Sequence, residues 1–120
     1  MKNKHAFKNL AVWNESLDLV KETYDLSSVF PEDEQNGIVK SLKKQAVNIP
    51  VGISKAMQAD DGELRKHYFE QSLTAITEIE TLLIIAQRLD FIDPKDVVVF
   101  TDKSDQVSMQ IKGLIQKFSN

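Results

Sequence analysis

Cysteine is absent from this sequence, which removes disulfides, thiolate metal sites and cysteine nucleophiles in one step and is compatible with a reducing compartment. Histidine is nearly absent: His5 and His67 are the two present. A di-metal centre in a helical bundle needs inward-facing Glu-x-x-His pairs, and the residue three before His67 is Leu64. His67 lies one helical turn from Glu63 and from Glu70, but that spacing is common on solvated faces. It therefore reads as a surface or interface residue, and neither a metal nor any other cofactor is expected. The four glycines, Gly37, Gly52, Gly62 and Gly113, are scattered and form neither a phosphate-cradling loop nor a nucleophile elbow. These absences together argue against an enzyme.

An excess of basic charge is missing as well. Fifteen Lys and Arg stand against eighteen Asp and Glu, for a net charge of -3, whereas dedicated polyanion binders are usually strongly basic. One basic face on an otherwise acidic molecule is still allowed. The longest fully apolar run, Leu82 to Ala86, is far too short to span a bilayer. Lys2, Lys4 and Lys8 have no apolar stretch behind them that would suit a signal peptide. A soluble, cytoplasmic protein without membrane partners is expected.

What is present is helical periodicity. The 120 residues, 42% hydrophobic and 28% charged, suit a single domain over 1–120 with its own core, residues 1–8 forming a loosely ordered lead-in. Leu10, Trp13, Leu17, Val20 and Tyr24 recur at helical spacing, with Val12, Leu19 and Leu26 as a second stripe. Asn9 or Asn3 is the candidate cap, and Phe30-Pro31 the terminator. A second helix is predicted from about Asp33 to Ala59, with Ile38, Leu42, Ala46, Ile49 and Ile53 on one face. Pro50 inside it implies a kink, with a break as the alternative. Asp60-Asp61-Gly62-Glu63 punctuates the chain before a third helix to Leu89, carrying Phe69, Leu73, Ile76 and Leu83, with Ile79, Leu82, Ala86 and Leu89 beside them. A fourth runs from Pro94 to Phe118 on Val97, Phe100, Val107, Ile111, Leu114 and Phe118. Val97 to Phe100 alone resembles a strand, but the chain offers no partner strand. The expected fold is all-α: an antiparallel up-down four-helix bundle with short connections.

Three features exceed what a bundle requires. Glu80 falls on the core stripe between Ile76 and Leu83, so it needs a cation or a hydrogen bond across a helix interface. A structural pair or edge position is the plain reading, and a catalytic or ligand-binding acid the alternative. Leu82-Leu83-Ile84-Ile85-Ala86 covers every side of a helix. It is either buried on several sides within the bundle or completed by another subunit, and a homo-oligomer is the working expectation. Lys40, Lys43 and Lys44, with Lys55 nearby, form a basic patch that reads as a solvated face or as contacts to nucleic-acid phosphates. No aromatic residue is interleaved with them to stack on bases.

The order of segments carries a resemblance. Phe7-Lys8-Asn9-Leu10-Ala11-Val12-Trp13, Leu42-Lys43-Lys44-Gln45-Ala46-Val47-Asn48-Ile49-Pro50, Glu78-Ile79-Glu80-Thr81-Leu82-Leu83 and Gly113-Leu114-Ile115 resemble successive motifs of one family. It is the four-helix-bundle family encoded within intervening sequences of bacterial 23S ribosomal RNA genes, related to accessory proteins of diversity-generating retroelements. The resemblance implies a bundle assembled as a ring-like homopentamer, with a basic surface that engages nucleic acid or a partner protein. It makes Pro50 a feature of the fold, places Lys43 and Lys44 at the family's basic dipeptide, and gives Glu80 a structural or interface role. After Ile49-Pro50 the family's usual Ala-Asn-Ile-Ala-Glu-Gly is replaced by Val51-Gly52-Ile53-Ser54-Lys55-Ala56. The expected function is that of a non-enzymatic oligomeric accessory or scaffold, with nucleic-acid binding through Lys40, Lys43 and Lys44 as the alternative. Trp13, Pro50, Glu80, Leu82, Ile84 and Ile85 are the candidate structural or interface residues.

Overall fold

A computed structural model of the chain describes residues 6–119. Four helices, α1 (Ala11–Ser27), α2 (Ile38–Gln58), α3 (Gly62–Arg88) and α4 (Pro94–Phe118), make up the fold, and no strand occurs among the described residues. Val97 to Phe100 is helical. Around the bundle each helix packs against two others: α1 on α2, α2 on α3, α3 on α4 and α4 on α1. No described helix is long and apolar enough to cross a membrane.

The ends of α3 and α4 follow local chemistry. Asp61 caps α3 by accepting from the Glu63 N–H at 3.3 Å, an oxygen placed where orphan helix donors need one. Pro94 opens α4, and the Asp96 carboxylate accepts from the Asp93 N–H at 3.3 Å. At the far end of α3, Asp90 sits at φ 64, with the Asp90 and Phe91 N–H groups donating to the carbonyls of Gln87 and Ala86. This is the left-handed stop usually made by glycine, because a Cβ there crowds the following carbonyl. Asp90→Gly is therefore expected to raise stability by about 0.5–1 kcal/mol, read as a higher urea midpoint at unchanged slope.

Several boundaries differ from the sequence expectation. Residues 6–8 are not loose lead-in: Ala6–Asn9 forms a 3-10 turn, Phe7 is buried, and its ring meets Trp13 edge-on at 5.3 Å. Residues 1–5, which include the candidate cap Asn3 and His5, lie outside the described segment. Asn9 does not cap α1. Leu10 holds that position without a side-chain bond, and Asn14 donates instead to the carbonyls of Leu10 and Lys8, both at 3.0 Å. The acidic stretch Glu32–Glu34 makes a 3-10 turn, and α2 begins only at Ile38, after Gly37. At Pro50 the expectation of one continuous helix holds and the alternative of a break does not, since α2 runs through the buried proline.

The two apolar stripes of α1 are not buried alike. The stripe buried against the bundle is Val12, Ser16, Leu19, Thr23 and Ser27, while Leu17 and Tyr24 are exposed and Trp13 and Val20 half-buried. Buried hydroxyls are tolerated because each returns a hydrogen bond to its own helix. Ser16 donates to the Trp13 carbonyl at 2.6 Å, Thr23 to Leu19 at 2.8 Å and Ser27 to Thr23 at 2.7 Å. The core opposite them is built from large apolar side chains, with Leu42, Ile49, Ile53, Phe69, Ile76, Ile79, Leu83, Phe100 and Ile111 sealed from solvent.

Candidate functional site

The larger apolar stripe of α1 lies at the edge of the core, with Leu10, Trp13 and Val20 half-buried against it and Leu17 and Tyr24 exposed, and it leaves an open groove between α1 and α2. It is lined by Trp13, Leu17, Val20, Val47, Pro50, Val51 and Ser54. Leu17 and Val51 are each 39% exposed, and the groove walls carry hardly any polar atoms. Pro50 contributes by its ring, the one side chain of a helix interior that brings no backbone donor with it. Two of the candidate interface residues, Trp13 and Pro50, thus meet in one place.

No lysine lines this groove, but α2, which supplies Val47, Pro50, Val51 and Ser54 to it, carries Lys40, Lys43 and Lys44 within two turns of Val47, Lys55 one turn beyond Val51, and no acidic residue. The lysines do not act as one cluster. Lys40 and Lys44 are exposed, whereas Lys43 is half-buried with its Nζ 4.9 Å from the centroid of the Tyr24 ring, a cation–π contact that ties α2 to α1. Lys55 Nζ stands 5.7 Å from the Tyr68 ring.

Beyond Lys55 a second groove separates α2 from α3, and this one is polar, with Gln45, Asn48, His67, Glu70, Gln71 and Thr74 among its walls. Asn48 donates to Gln45 at 3.1 Å, and the His67 ring lies 3.1 Å from the Gln71 amide. His67 is exposed, and no group of three or more His, Asp or Glu among the described residues is placed to hold a metal. At the floor of this groove α2 and α3 lie close together. Ser72 donates to the Ile49 carbonyl at 2.9 Å, and a Cβ added to Gly52 would strike the Ser72 hydroxyl and come within 2.9 Å of the Tyr68 carbonyl. Further along, Arg65 of α3 closes the end of α2, donating to the carbonyls of Ala56 at 3.2 Å and Ala59 at 2.6 Å with its guanidinium 4.8 Å from the Phe118 ring.

Glu80 is not a bare core carboxylate. It is half-buried at the seam of α3 and α4, where Ser104 donates to it at 2.7 Å. That bond crosses the helix interface and satisfies the charge at the edge of the core. The apolar run beside it divides as helix geometry demands: Leu83 and Ala86 are buried, Leu82 is half-buried, and Ile84 and Ile85 face outward at 46% and 43% exposure.

On the remaining face, α1 and α4 enclose an acidic groove with Glu15, Asp18, Glu22 and Asp25 on α1. Gln110 donates to Glu15 at 2.6 Å and Lys103 to Glu22 at 2.8 Å. The Glu22 carboxylate, by hydrogen bond and charge, holds the Lys103 ammonium above its ordinary pKa. The pair contributes while the lysine is charged and lapses as pH climbs through the raised value. Because it is open to solvent, its share is small.

Residues 8–113 match the family model of the 23S rRNA-intervening sequence protein. The chain belongs to that family. The match runs from the turn before α1 to the last turns of α4, so it takes in the Leu42–Pro50 and Glu78–Leu83 stretches on which the resemblance rested, all but Phe7 of the Phe7–Trp13 stretch, and the first residue of Gly113–Ile115. No curated protein matches the chain. Within this 23S rRNA-intervening sequence protein fold, Pro50 is a wall of the apolar groove and Glu80 the acceptor of a cross-helix hydrogen bond. Gly52 and Arg65 had no standing in the sequence reading. A glycine facing a serine across a helix crossing is invisible until the crossing is known. The outward stripe of α1 was foreshadowed by its two adjacent apolar stripes, since only one of them can face the core.

Proposed function

We propose that this member of the 23S rRNA-intervening sequence protein family is a non-enzymatic accessory or scaffold protein of the cytoplasm, working as a homo-oligomer of antiparallel up-down bundles, with a ring of five as the form the family resemblance implies. The antiparallel course is supported by the order of cross-helix contacts. Glu15 meets Gln110 and Glu22 meets Lys103. Ile49 meets Ser72 and Ala56 meets Arg65. Glu80 meets Ser104 and Phe69 stacks on Phe118. In each pair of helices, rising numbers on one face falling numbers on the other.

The observation that carries the oligomer is the apolar groove of α1 and α2. A chain this small leaves the larger stripe of one helix open when another protein surface completes it. Light scattering on a sizing column, across protein concentration and salt, tests it. A stable mass several times the 13.6 kDa of one chain is expected, near fivefold for the ring. A monomer throughout rejects the reading.

A second reading, nucleic-acid binding, is favoured by the all-basic charge of α2. Glutamate at Lys40, Lys43 and Lys44 together is then expected to abolish binding to a duplex RNA or DNA probe. Replacing Lys40 alone should lower the salt slope by about one counterion-releasing contact. Affinity unchanged by the triple replacement removes this reading at its named residues. Lysine supplies a point charge rather than the bidentate fork of arginine, so sequence-independent binding is the form to look for.

A further inference from the structure

We infer that Asn36 is a site of self-modification, where the backbone nitrogen of Gly37 displaces ammonia from the side-chain amide and a carboxylate takes its place just ahead of α2. Asn36-Gly37 is the one Asn-Gly step in the sequence. Glycine presents its nitrogen with no side chain to obstruct the approach to the neighbouring Cγ. Both residues are exposed, in the turn that joins Glu32–Glu34 to α2. The Gly37 N–H donates to the Glu34 carbonyl at 3.1 Å, a single bond in a surface turn, and such turns open at far lower cost than a packed helix. The other described asparagines are held differently. Asn14 and Asn48 lie inside α1 and α2, where the next N–H belongs to the helix ladder. Their amides are also engaged, Asn14 with the carbonyls of Lys8 and Leu10 and Asn48 with Gln45. Asn9 is followed by Leu10, whose side chain crowds the nitrogen and whose N–H donates to the Phe7 carbonyl at 3.0 Å.

The step balances with no change of oxidation state. The Gly37 nitrogen bonds to Asn36 Cγ and gives up its proton, the bond from Cγ to the amide nitrogen breaks, and ammonia leaves with that proton. The product is a five-membered succinimide. Water then opens the ring on one side or the other. Cleavage between Cγ and the ring nitrogen gives aspartate. Cleavage at the main-chain carbonyl gives isoaspartate, whose backbone runs through Cγ and is one atom longer. The two products act differently on α2, which starts without a side-chain cap and without an acid in its first turn. Aspartate at 36 extends the acidic run Glu32-Asp33-Glu34 to within one turn of the exposed Lys40 and stands at the positive end of the helix dipole. Isoaspartate lengthens the chain where the bonds from Gly37 N–H to Glu34 and from Ser41 N–H to Gly37 fix the first turn, so it loosens the start of the helix. Either product makes the net charge of -3 one unit more negative.

Ageing the purified full chain at mildly alkaline pH and physiological temperature tests this. Ion exchange should show a peak shifted by one negative charge that grows with time. Cleavage after lysine releases residues 22–40, a peptide with Asn36 as its one asparagine. That peptide should gain the mass of an amide-to-acid exchange and split into two isomers, with fragment masses placing the change at Asn36 and not at Gln35. Asn9, Asn14 and Asn48 should keep their amides over the same period. Gly37→Ala, whose added Cβ meets nothing closer than 3.5 Å, should lose the acidic peak. The inference is overturned if Asn36 converts no faster than the other three asparagines. It is overturned equally if Asn36 stays an amide in the folded protein while the urea-unfolded chain loses it, since the turn would then protect the site. Conversion of Gly37→Ala at the wild-type rate would show that the Gly37 nitrogen is not the nucleophile. The wild-type time course decides the matter even if that variant folds poorly.

Discussion

Leu83→Asp is expected to leave the chain largely unfolded at room temperature, while Ile84→Asp, one residue along, keeps its helical content. Leu83 is fully sealed from solvent and Ile84 is 46% exposed. Losing the burial of a leucine side chain removes about 2–3 kcal/mol, and placing a carboxylate in that position adds a desolvation penalty of several kcal/mol. The sum approaches the whole stability of a domain of this size, about 5–15 kcal/mol. Circular dichroism melts of the two variants decide the matter. Similar melts for both would mean that Leu83 is not in the core, and the division of the apolar run into inward and outward residues would be wrong.

Gly52→Ala should destabilise the protein, although alanine is the better helix former by about 1 kcal/mol. The new methyl would meet the buried Ser72 hydroxyl and the Tyr68 carbonyl, at a crossing also held by the Ser72 hydrogen bond to Ile49. Overpacking of this kind costs about 1–3 kcal/mol, and loss of the hydrogen bond about another 1 kcal/mol. A net loss of about 1–3 kcal/mol follows from these figures, a fall in melting temperature on the order of 5–15 °C, and valine should do worse. Gly113→Ala is the matched control. It is the same change inside a helix, with nothing within 4 Å of the added Cβ, so it should raise stability by up to about 1 kcal/mol. Equal responses at the two positions would contradict the tight crossing of α2 on α3.

The residues that respond in these experiments differ in how visible they were beforehand. Leu83 was placed on the core stripe by its spacing from Ile76, and it is buried; whether Ile84 and Ile85 beside it would be covered was not legible from periodicity. Glu80 was rightly read as needing a partner, but Ser104 lies 24 positions away on a helix whose rotation is not encoded locally. Lys40, Lys43 and Lys44 looked like one patch in sequence. On the helix Lys43 turns to Tyr24, leaving Lys40 and Lys44 as its exposed members.

By itself the sequence determined the elements and much of what they lack. Pro94 and the acidic cap ahead of it set the start of α4, and Asp61-Gly62 set the start of α3. These are short-range effects: capping, proline geometry and side-chain type act within a turn of chain. Tertiary structure decided which face of each helix is inside. On α1 the stripe with larger apolar side chains lost to Val12, Ser16, Leu19, Thr23 and Ser27, because small hydroxyl residues that bond their own backbone let α1 lie close against a core already filled from the other helices. The displaced stripe became the groove, and so the candidate interface exists only because four helices compete for one interior.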